Sequence, residues 1–212
     1  MMDKKVLAIC GLQGAGKDTT ADKLIEIAKS KGLKVGKMAF ADRLKDMIAV
    51  LFDLPRDGLA GFTPESRIWR EEPLPKWSKR VGKSITPRYL LQYFGTELLR
   101  DQFCDTIWID CLMDSIEKSD LDMIIITDCR YPNEMKSLID NGGKIIEVKR
   151  HTPDWYYEVL NNPTYIPDGI HKSEYEWIRP LHCLKDEYYF ELDNNGTMDE
   201  LFEKINDIYE KL

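Results

Sequence analysis

The 212-residue sequence lacks the markers of several classes of protein. Its five cysteines are scattered and include no C-x-x-C pair, which argues against a disulfide framework or a structural zinc site and favours a reducing cytoplasm. No apolar run approaches the roughly 18 residues of a membrane helix. The first residues, MMDKK and a short apolar run, lack the long apolar stretch of a signal peptide. We therefore expect a cytoplasmic protein without a membrane partner.

Positive charge is also scarce, with 30 lysines and arginines against 37 aspartates and glutamates. The resulting net charge of −7 argues against a nucleic-acid partner, because such affinity comes mostly from cationic contacts with phosphates. Basic residues nevertheless concentrate in one part of the chain. They are Arg67, Arg70, Lys76, Lys79, Arg80, Lys83, Arg88 and Arg100. This concentration is either a solvated surface or a local field for a small polyanion.

The apolar residues, 43% of the chain, are sufficient for a core and form five short runs separated by helical patterns. The runs are KVLAIC (5–10), VGKMAF (35–40), MIIITD (123–128), KIIEVK (144–149) and YYFEL (188–192). Strands that alternate with helices predict an α/β fold with a parallel sheet of about five strands flanked by helices. Thr197 and Glu200 have the spacing of a capping box and predict the start of a last helix. The length suits a single domain over residues 1–212.

The stretch CGLQGAGKDTT at residues 10–20 has the form of a phosphate-binding loop, or P-loop. It follows the first apolar run and precedes a helical pattern, which is the context that this motif requires. Backbone N–H groups of such a loop surround the phosphates of a nucleotide, and Lys17 would reach the β- and γ-phosphates. The residues expected to bind ATP are Gly11, Gly14, Ala15, Gly16, Lys17, Asp18 and Thr19. The alternative is a glycine-rich turn whose lysine faces solvent.

One P-loop position departs from the usual pattern. Asp18 stands where a Ser or Thr would place its hydroxyl on the magnesium ion of the nucleotide. A carboxylate can hold Mg²⁺ directly or through water, and Asp128, near the end of a strand, resembles the second acid that holds this ion. We therefore predict Mg²⁺ at Asp18 and Asp128. The alternatives are a favourable charge at a helix N-terminus for Asp18 and a helix cap for Asp128.

Catalysis of phosphoryl transfer depends mainly on cations placed around the moving group. Besides Lys17, the candidates are Arg88, Arg130 and Arg150. Arg130 follows a strand at the edge where α/β sheets bind their ligands. The alternative for each arginine is an ordinary place on the surface.

Two stretches look irregular in the sequence. Residues 53–87 are rich in proline, glycine and charge, and predict a long loop or a small excursion from the domain. Residues 150–187 are irregular and aromatic, with four prolines.

Several blocks of the sequence occur in an order that resembles the deoxynucleoside monophosphate kinases of bacteriophages. The blocks are GKDTTA (16–21), RYLLQYFGTELLRDQF (88–103), TDCRYPNEM (127–135), HKSE (171–174) and NNGTMDELFEKI (194–205). That family has Asp after the P-loop lysine, and this sequence has Asp18 at the same position. The resemblance covers residues 5–50 and 86–212.

The resemblance implies an adenylate-kinase-like P-loop fold that transfers the γ-phosphate of ATP to a deoxynucleoside monophosphate. The reaction would serve deoxynucleotide biosynthesis, in the host's cytoplasm if a phage encodes the protein. It implies an acceptor site lined by Lys45, Arg88, Gln92, Gly95, Thr96, Trp108, Asp128, Arg130 and Glu134. Trp108 could stack on a base or simply fill the core. The stretch 150–187 would correspond to a mobile lid, and 53–87 to an insertion on the acceptor side. Since residues 53–85 match no block, the choice of base is left open, and His171 and Glu174 are read as parts of a local turn.

Two other functions fit the same residues. The first is a kinase of another small phosphate, since phosphomevalonate kinases of the animal type share a G-K-D loop. The second is a P-loop ATPase or nucleotide-binding module without an acceptor. Whether the chain forms a homodimer is also left open.

Overall fold

The computed structural model describes residues 4–212 and separates the chain into two compact units. The sheet unit consists of the residues up to Ala39 together with Asp114–Leu212. The helical unit consists of Phe40–Met113.

The α-helices are numbered in chain order. They are α1 (Lys17–Ser30), α2 (Asp42–Phe52), α3 (Arg56–Ala60), α4 (Pro64–Trp69), α5 (Pro75–Val81), α6 (Pro87–Gln92), α7 (Leu99–Gln102), α8 (Ile107–Lys118), α9 (Pro132–Asp140), α10 (Asp154–Asn161), α11 (Ile178–Leu181) and α12 (Met198–Tyr209). A π-helical turn, Tyr93–Leu98, joins α6 to α7, and a 3₁₀ turn, Lys172–Glu174, precedes α11. No helix within residues 4–212 is both long and apolar enough to cross a membrane.

A five-stranded sheet forms the centre of the sheet unit. Its strands are β1 (Lys5–Cys10), β2 (Val35–Met38), β3 (Met123–Ile126), β4 (Lys144–Lys149) and β5 (Tyr189–Asp193). They lie in the order β2-β3-β1-β4-β5, and every neighbouring pair is parallel. β3 is buried along its whole length, as expected for a parallel strand covered on both faces. The predicted parallel sheet of five strands is confirmed.

One face of the sheet packs against the first and last helices. Leu24 of α1 and Leu201 of α12 share an apolar core with Ile146 and Val148 of β4. The predicted capping box at the start of α12 is confirmed. Thr197 Oγ1 accepts from the Glu200 N–H at 3.3 Å, and Glu200 Oε2 accepts from the Thr197 N–H at 2.8 Å.

Residues 150–187 contain more regular structure than expected. Helices α10 and α11 and the 3₁₀ turn lie within this range, so the prediction of an irregular stretch is wrong for those residues. The reason is the placement of the aromatic side chains, since Tyr156 and Trp177 are almost fully buried. Tyr156 also donates a hydrogen bond to the buried Glu147 of β4. Because side chains alternate along a strand, Glu147 points away from the face that carries Ile146 and Val148, and α10 covers that second face.

Residues 53–87 form three short helices, α3 to α5, in the helical unit. The prediction of a long loop is therefore wrong, and that of a small excursion describes the stretch better. Pro64 and Pro75 occupy the first position of α4 and α5. A backbone N–H at this position has no partner within the helix, so proline costs no hydrogen bond there, and its fixed φ favours the helix. Thr63 caps α4 by accepting from the Ser66 N–H at 3.2 Å. These prolines begin helices, although in the sequence they look like loop residues.

Candidate active site

The predicted P-loop occupies the point where the sheet changes its direction of winding. β1 lies between β3 and β4, and the loop connects its carboxyl end to α1. In open α/β sheets this is where ligands bind. Gly11, Gly14 and Gly16 have φ angles of 144°, 81° and 105°, in the region that favours glycine. The glycines of the motif therefore have a backbone that other residues would adopt only with strain.

Lys17 folds back over the P-loop. Its Nζ donates to the carbonyl oxygens of Gly11 at 2.8 Å and Leu12 at 2.9 Å. Burial lowers the pKa of Lys17 to about 8, and the nearby Arg130 charge lowers it further in the same direction. A phosphate group would add negative charge beside this half-buried cation.

Asn194, directly after β5, forms a hydrogen bond with the backbone of the P-loop. Its Nδ2 donates to the carbonyl oxygen of Ala15 at 2.7 Å, and the residue is buried. A Cβ atom at Gly16 would lie only 2.4 Å from this Nδ2, so the position requires glycine for space as well as for φ. The sequence showed Asn194 only as part of a turn, and no local pattern indicated a contact with the loop.

Two carboxylates lie at the same edge of the sheet. Asp18 is exposed in the first turn of α1, and Asp128 is half-buried two residues beyond β3. β1 and β3 are neighbours, with Ala8 paired to Ile126, so their carboxyl ends lie side by side. Among residues 4–212, no group of three or more His, Cys, Asp or Glu side chains could hold a metal ion. Any ion here would need further oxygen ligands from a substrate or from water.

Arg130 is fixed at its backbone and at its guanidinium. The backbone N–H donates to Glu134 Oε2 at 2.7 Å, and the Tyr131 N–H donates to the same oxygen at 3.1 Å. The guanidinium Nη1 forms an ion pair with Glu174 Oε1. Arg130, Glu174 and Asp18 all lie close enough to Lys17 for their charges to affect it. The structure thus places Lys17, Asp18, Arg130 and Glu174 near one another, and their roles in catalysis and metal binding stay predictions.

Glu134 has a different place from the one that the resemblance implies. The residue is 2% exposed, and one of its carboxylate oxygens accepts the two backbone N–H groups before α9. This is the capping arrangement of an acid at the third position of a helix. The observed contacts make Glu134 a support for the Arg130 loop, and contact with an acceptor stays a prediction.

The helical unit contains the other residues of the predicted acceptor site. They are Lys45, Arg88, Gln92, Gly95, Thr96 and Trp108. Arg88 Nε forms an ion pair with Glu71, and Lys45 Nζ lies 3.6 Å from Asp42 Oδ1. Thr96 is buried, and Gln92 is half-buried.

Gly95 and Trp108 have structural roles inside the helical unit. Trp108 is 6% exposed and donates its indole N–H to the Gly95 carbonyl at 2.8 Å. A Cβ atom at Gly95 would lie 2.6 Å from Leu44 Cδ2, so glycine lets α2 approach the π-helical turn closely. Of the two roles considered for Trp108, these contacts describe the one in the core. π-helical turns often occur at functional sites, which keeps this segment a candidate for the acceptor.

Arg150 is exposed directly after β4, at the carboxyl edge of the sheet. No ion pair joins it to any other residue of the described range 4–212. Its participation in phosphate binding stays a prediction.

Three residues near the site were missed or left without a role by the sequence. Asn194 contacts the P-loop, Glu174 pairs with Arg130, and Glu71 pairs with Arg88. His171 does form the local turn that the sequence predicted, since its Nδ1 accepts from the Ser173 N–H at 3.3 Å. For Glu174, the one available sign in the sequence was its place in the HKSE block (171–174) of the resemblance.

Comparison with known proteins gives a consistent result. A family model described as deoxynucleotide monophosphate kinase matches residues 71–157. A putative deoxynucleotide monophosphate kinase of Acanthamoeba polyphaga mimivirus is 30% identical over 94% of this chain and 93% of its own. The deoxynucleoside-5'-monophosphate kinase of Escherichia phage T5 is 50% identical over 24% of this chain and 20% of its own. A gluconokinase structure from Sinorhizobium meliloti 1021 aligns over 100% of this chain and 94% of its own, with 11% identity and a TM-score of 0.40.

Proposed function

This chain belongs to the deoxynucleotide monophosphate kinase family, and we propose that it transfers the γ-phosphate of ATP to a deoxynucleoside monophosphate. The products are ADP and a deoxynucleoside diphosphate. The observation that carries this proposal is the P-loop at the centre of the sheet edge, with Lys17 folded over it and Arg130 beside it.

In the proposed reaction, an oxygen of the acceptor phosphate attacks the γ-phosphorus of ATP. A new P–O bond forms there while the bond from the γ-phosphorus to the β,γ-bridging oxygen breaks, and the electron pair leaves with ADP. Negative charge on the transferring group must be stabilised throughout this exchange. Lys17 and Arg130 lie together in the sheet unit and are the cations that we assign to this task.

The P-loop would hold ATP through its backbone. The N–H groups from Gly14 to Thr19 surround the phosphates, and α1 directs its positive end towards them. Lys17 would exchange the carbonyl oxygens of Gly11 and Leu12 for phosphate oxygens. Its burial favours this exchange, because a buried ammonium group gains more from an anion than an exposed one does.

Asp18 and Asp128 would hold Mg²⁺, either directly or through water. Their oxygen donors suit this ion, which usually keeps several waters and takes one or two carboxylates together with substrate phosphates. Mg²⁺ supplies neutralisation of the charge on the β- and γ-phosphate oxygens when it is bound.

The acceptor would bind through Arg88, Gln92 and Thr96 of the helical unit. The guanidinium of Arg88 can form two parallel hydrogen bonds with a phosphate once it leaves Glu71. We assign the short helices of 53–87 to the acceptor side, and residues 150–187 to the segment that limits access of water to the reaction. We place the reaction in the cytoplasm, where ATP and deoxynucleotides are available.

The test is the release of ADP from Mg-ATP with each deoxynucleoside monophosphate, with phosphomevalonate, and without acceptor. Stimulation by one or more deoxynucleotides supports the proposal and identifies the preferred base. Turnover with phosphomevalonate alone would replace the acceptor class, and equal turnover with and without acceptors would make the protein an ATPase.

A further inference from the structure

The ion pair between Arg130 and Glu174 joins the loop after β3 to a segment 44 residues later in the chain. The side chains are 34% and 22% exposed, so the pair lies between the interior and the surface. The family resemblance gave Glu174 no role.

Glu174 is itself held firmly. Its carbonyl oxygen accepts the indole N–H of Trp177 at 2.9 Å, and Trp177 is almost fully buried. The turn before it is closed by His171, whose Nδ1 lies 2.8 Å from Ser173 Oγ and also accepts the Ser173 N–H. Ser173 is buried as well. The carboxylate of Glu174 therefore projects from a packed support and can fix the partner that it binds.

The side chain of Arg130 has hydrogen-bond donors that its contact with Glu174 does not use. A guanidinium carries five N–H donors in a rigid plane. Within the described part of the chain, the side chain of Arg130 hydrogen-bonds to Glu174 through Nη1, and no bond of Nε or Nη2 to residues 4–212 accompanies it. One end of the guanidinium is therefore anchored, and its remaining donors can meet a phosphate.

The arrangement also balances charge beside the P-loop. Lys17 and Arg130 are cations close enough to repel each other, and the charge of Glu174 acts on Lys17 in the opposite sense. Asp18 and Cys10 act on Lys17 in the same sense as Glu174, and the charges of Asp128 and Glu134 act on Arg130. Without Glu174, the two cations would lie together with less compensation, and the flexible side chain of Arg130 would be free to turn away.

We propose that Glu174 is a positioning residue, which holds the guanidinium of Arg130 beside the P-loop so that its free donors meet the transferring phosphate. It acts through Arg130 and does not contact the nucleotide. This inference rests on the proposed kinase reaction, and it deepens that reaction by assigning a residue outside the P-loop and the acceptor site.

The experiment measures kcat and KM for ATP in the full chain with Glu174→Gln, which keeps the shape and removes the charge. Misplacement of a catalytic group by about 1 Å can cost on the order of 100-fold in rate. We expect kcat to fall between about 10-fold and 100-fold, with KM for ATP changing about twofold or less. Glu174→Asp, which restores the charge on a shorter side chain, should recover part of the loss.

The matched control is Glu176→Gln, the same change in the same segment. The side chain of Glu176 forms no ion pair with any residue between 4 and 212. The kcat of the Glu176→Gln variant should therefore equal that of the unchanged protein. Thermal unfolding of every variant separates loss of catalysis from loss of fold.

A double-mutant cycle decides whether Glu174 acts through Arg130. In a protein that already carries Arg130→Ala, Glu174→Gln should change kcat by about twofold or less. If Arg130→Ala turns over too slowly for measurement, the cycle uses Arg130→Lys, which keeps the charge but not the planar fork. An equal loss in both backgrounds would overturn the inference, as would a normal kcat in Glu174→Gln alone. If the unchanged protein shows no acceptor-dependent ADP release, the proposed function fails and the inference fails with it.

Discussion

Three basic side chains of the candidate site are held by contacts with other residues of the protein. Lys17 contacts two carbonyl oxygens of its own loop, Arg130 pairs with Glu174, and Arg88 pairs with Glu71. A preorganised cation loses less conformational freedom when a phosphate arrives. The contacts of Lys17, Arg130 and Arg88 therefore favour the binding of phosphate groups.

Replacement of Lys17 tests the P-loop directly. In Lys17→Ala, kcat for ADP release should fall by about 100-fold to 1,000-fold, because the transferring phosphate loses a buried cation. The variant should stay folded, since removal of a cation that burial disfavours offsets the loss of its hydrogen bonds to the Gly11 and Leu12 carbonyls. Near-normal turnover in a folded variant would exclude the P-loop from the mechanism.

Replacement of Asn194 tests the support of the P-loop. In Asn194→Ala, the Ala15 carbonyl loses its partner and Gly16 loses its neighbour, so the loop can leave the geometry that binds phosphates. We expect the protein to lose about 1–3 kcal/mol of stability in urea unfolding, together with weaker binding of Mg-ATP by calorimetry.

The control for this variant is Asn206→Ala, the same truncation at an exposed position of α12. It should leave ATP binding unchanged. Equal ATP affinity in Asn194→Ala and Asn206→Ala would show that Asn194 does not support the loop.

At the scale of elements, helix starts explain most differences between the expected and observed structure. Prolines suggested loops in residues 53–87, but Pro64 and Pro75 begin helices. A proline at the first helical position and a proline in a loop look the same in a single sequence, because both follow an extended residue. Thr63 before Pro64 was the sign that distinguishes them.

The capping box of α12 allows a prediction at this scale. Thr197→Ala should lower the free energy of unfolding by about 1 kcal/mol, because the Glu200 N–H loses its acceptor. Thr197→Ser keeps the hydroxyl and should retain most of the stability in the same thermal or urea unfolding. If both variants unfold alike, the hydroxyl does not stabilise α12.

At the scale of the whole molecule, a polar network lies beneath α10 in the sheet unit. Glu147 is fully buried on β4, and the hydroxyl groups of Tyr156 and Tyr189 donate to its carboxylate. His182 Nε2 and Lys149 Nζ lie 3.3 Å and 3.5 Å from Glu147 Oε2. Burial alone would raise the pKa of Glu147, but these hydrogen bonds and the Lys149 charge lower it below the ordinary 4.5.

The lowered pKa determines how stability depends on pH. Since the folded state favours the ionised carboxylate, Glu147 contributes stability above pH 4.5 that is lost as the pH falls through its folded-state pKa. Glu147→Gln should therefore lower the free energy of unfolding by about 2–4 kcal/mol at neutral pH. The difference from the unchanged protein should narrow below pH 4.5.

Urea unfolding between neutral pH and pH 3 measures this difference. Glu191→Gln is the control, because that carboxylate is half-exposed and pairs with Lys149 at the edge of the network. A difference between Glu147→Gln and the unchanged protein that stays constant with pH would show that the ionised state of Glu147 does not stabilise the fold.

Features that depend on near neighbours in the chain could be predicted from the amino-acid sequence. Apolar runs located all five strands, the glycine spacing located the P-loop, and Thr197 with Glu200 located the start of α12. Each of these follows from residues within a few positions of one another, so hydrophobic period, backbone freedom and capping are enough to predict them. The order of the sequence blocks that resemble phage kinases indicated the family.

Contacts between distant parts of the chain could not be predicted from the sequence and are seen only in the folded structure. Asn194 reaches Ala15 across 179 positions, and Glu174 reaches Arg130 across 44. The physical reason is that such pairs exist only after the sheet has brought the carboxyl ends of its strands to one edge and the aromatic side chains of 150–187 have packed. A single sequence contains both residues of each pair, but it does not show that they will be in contact.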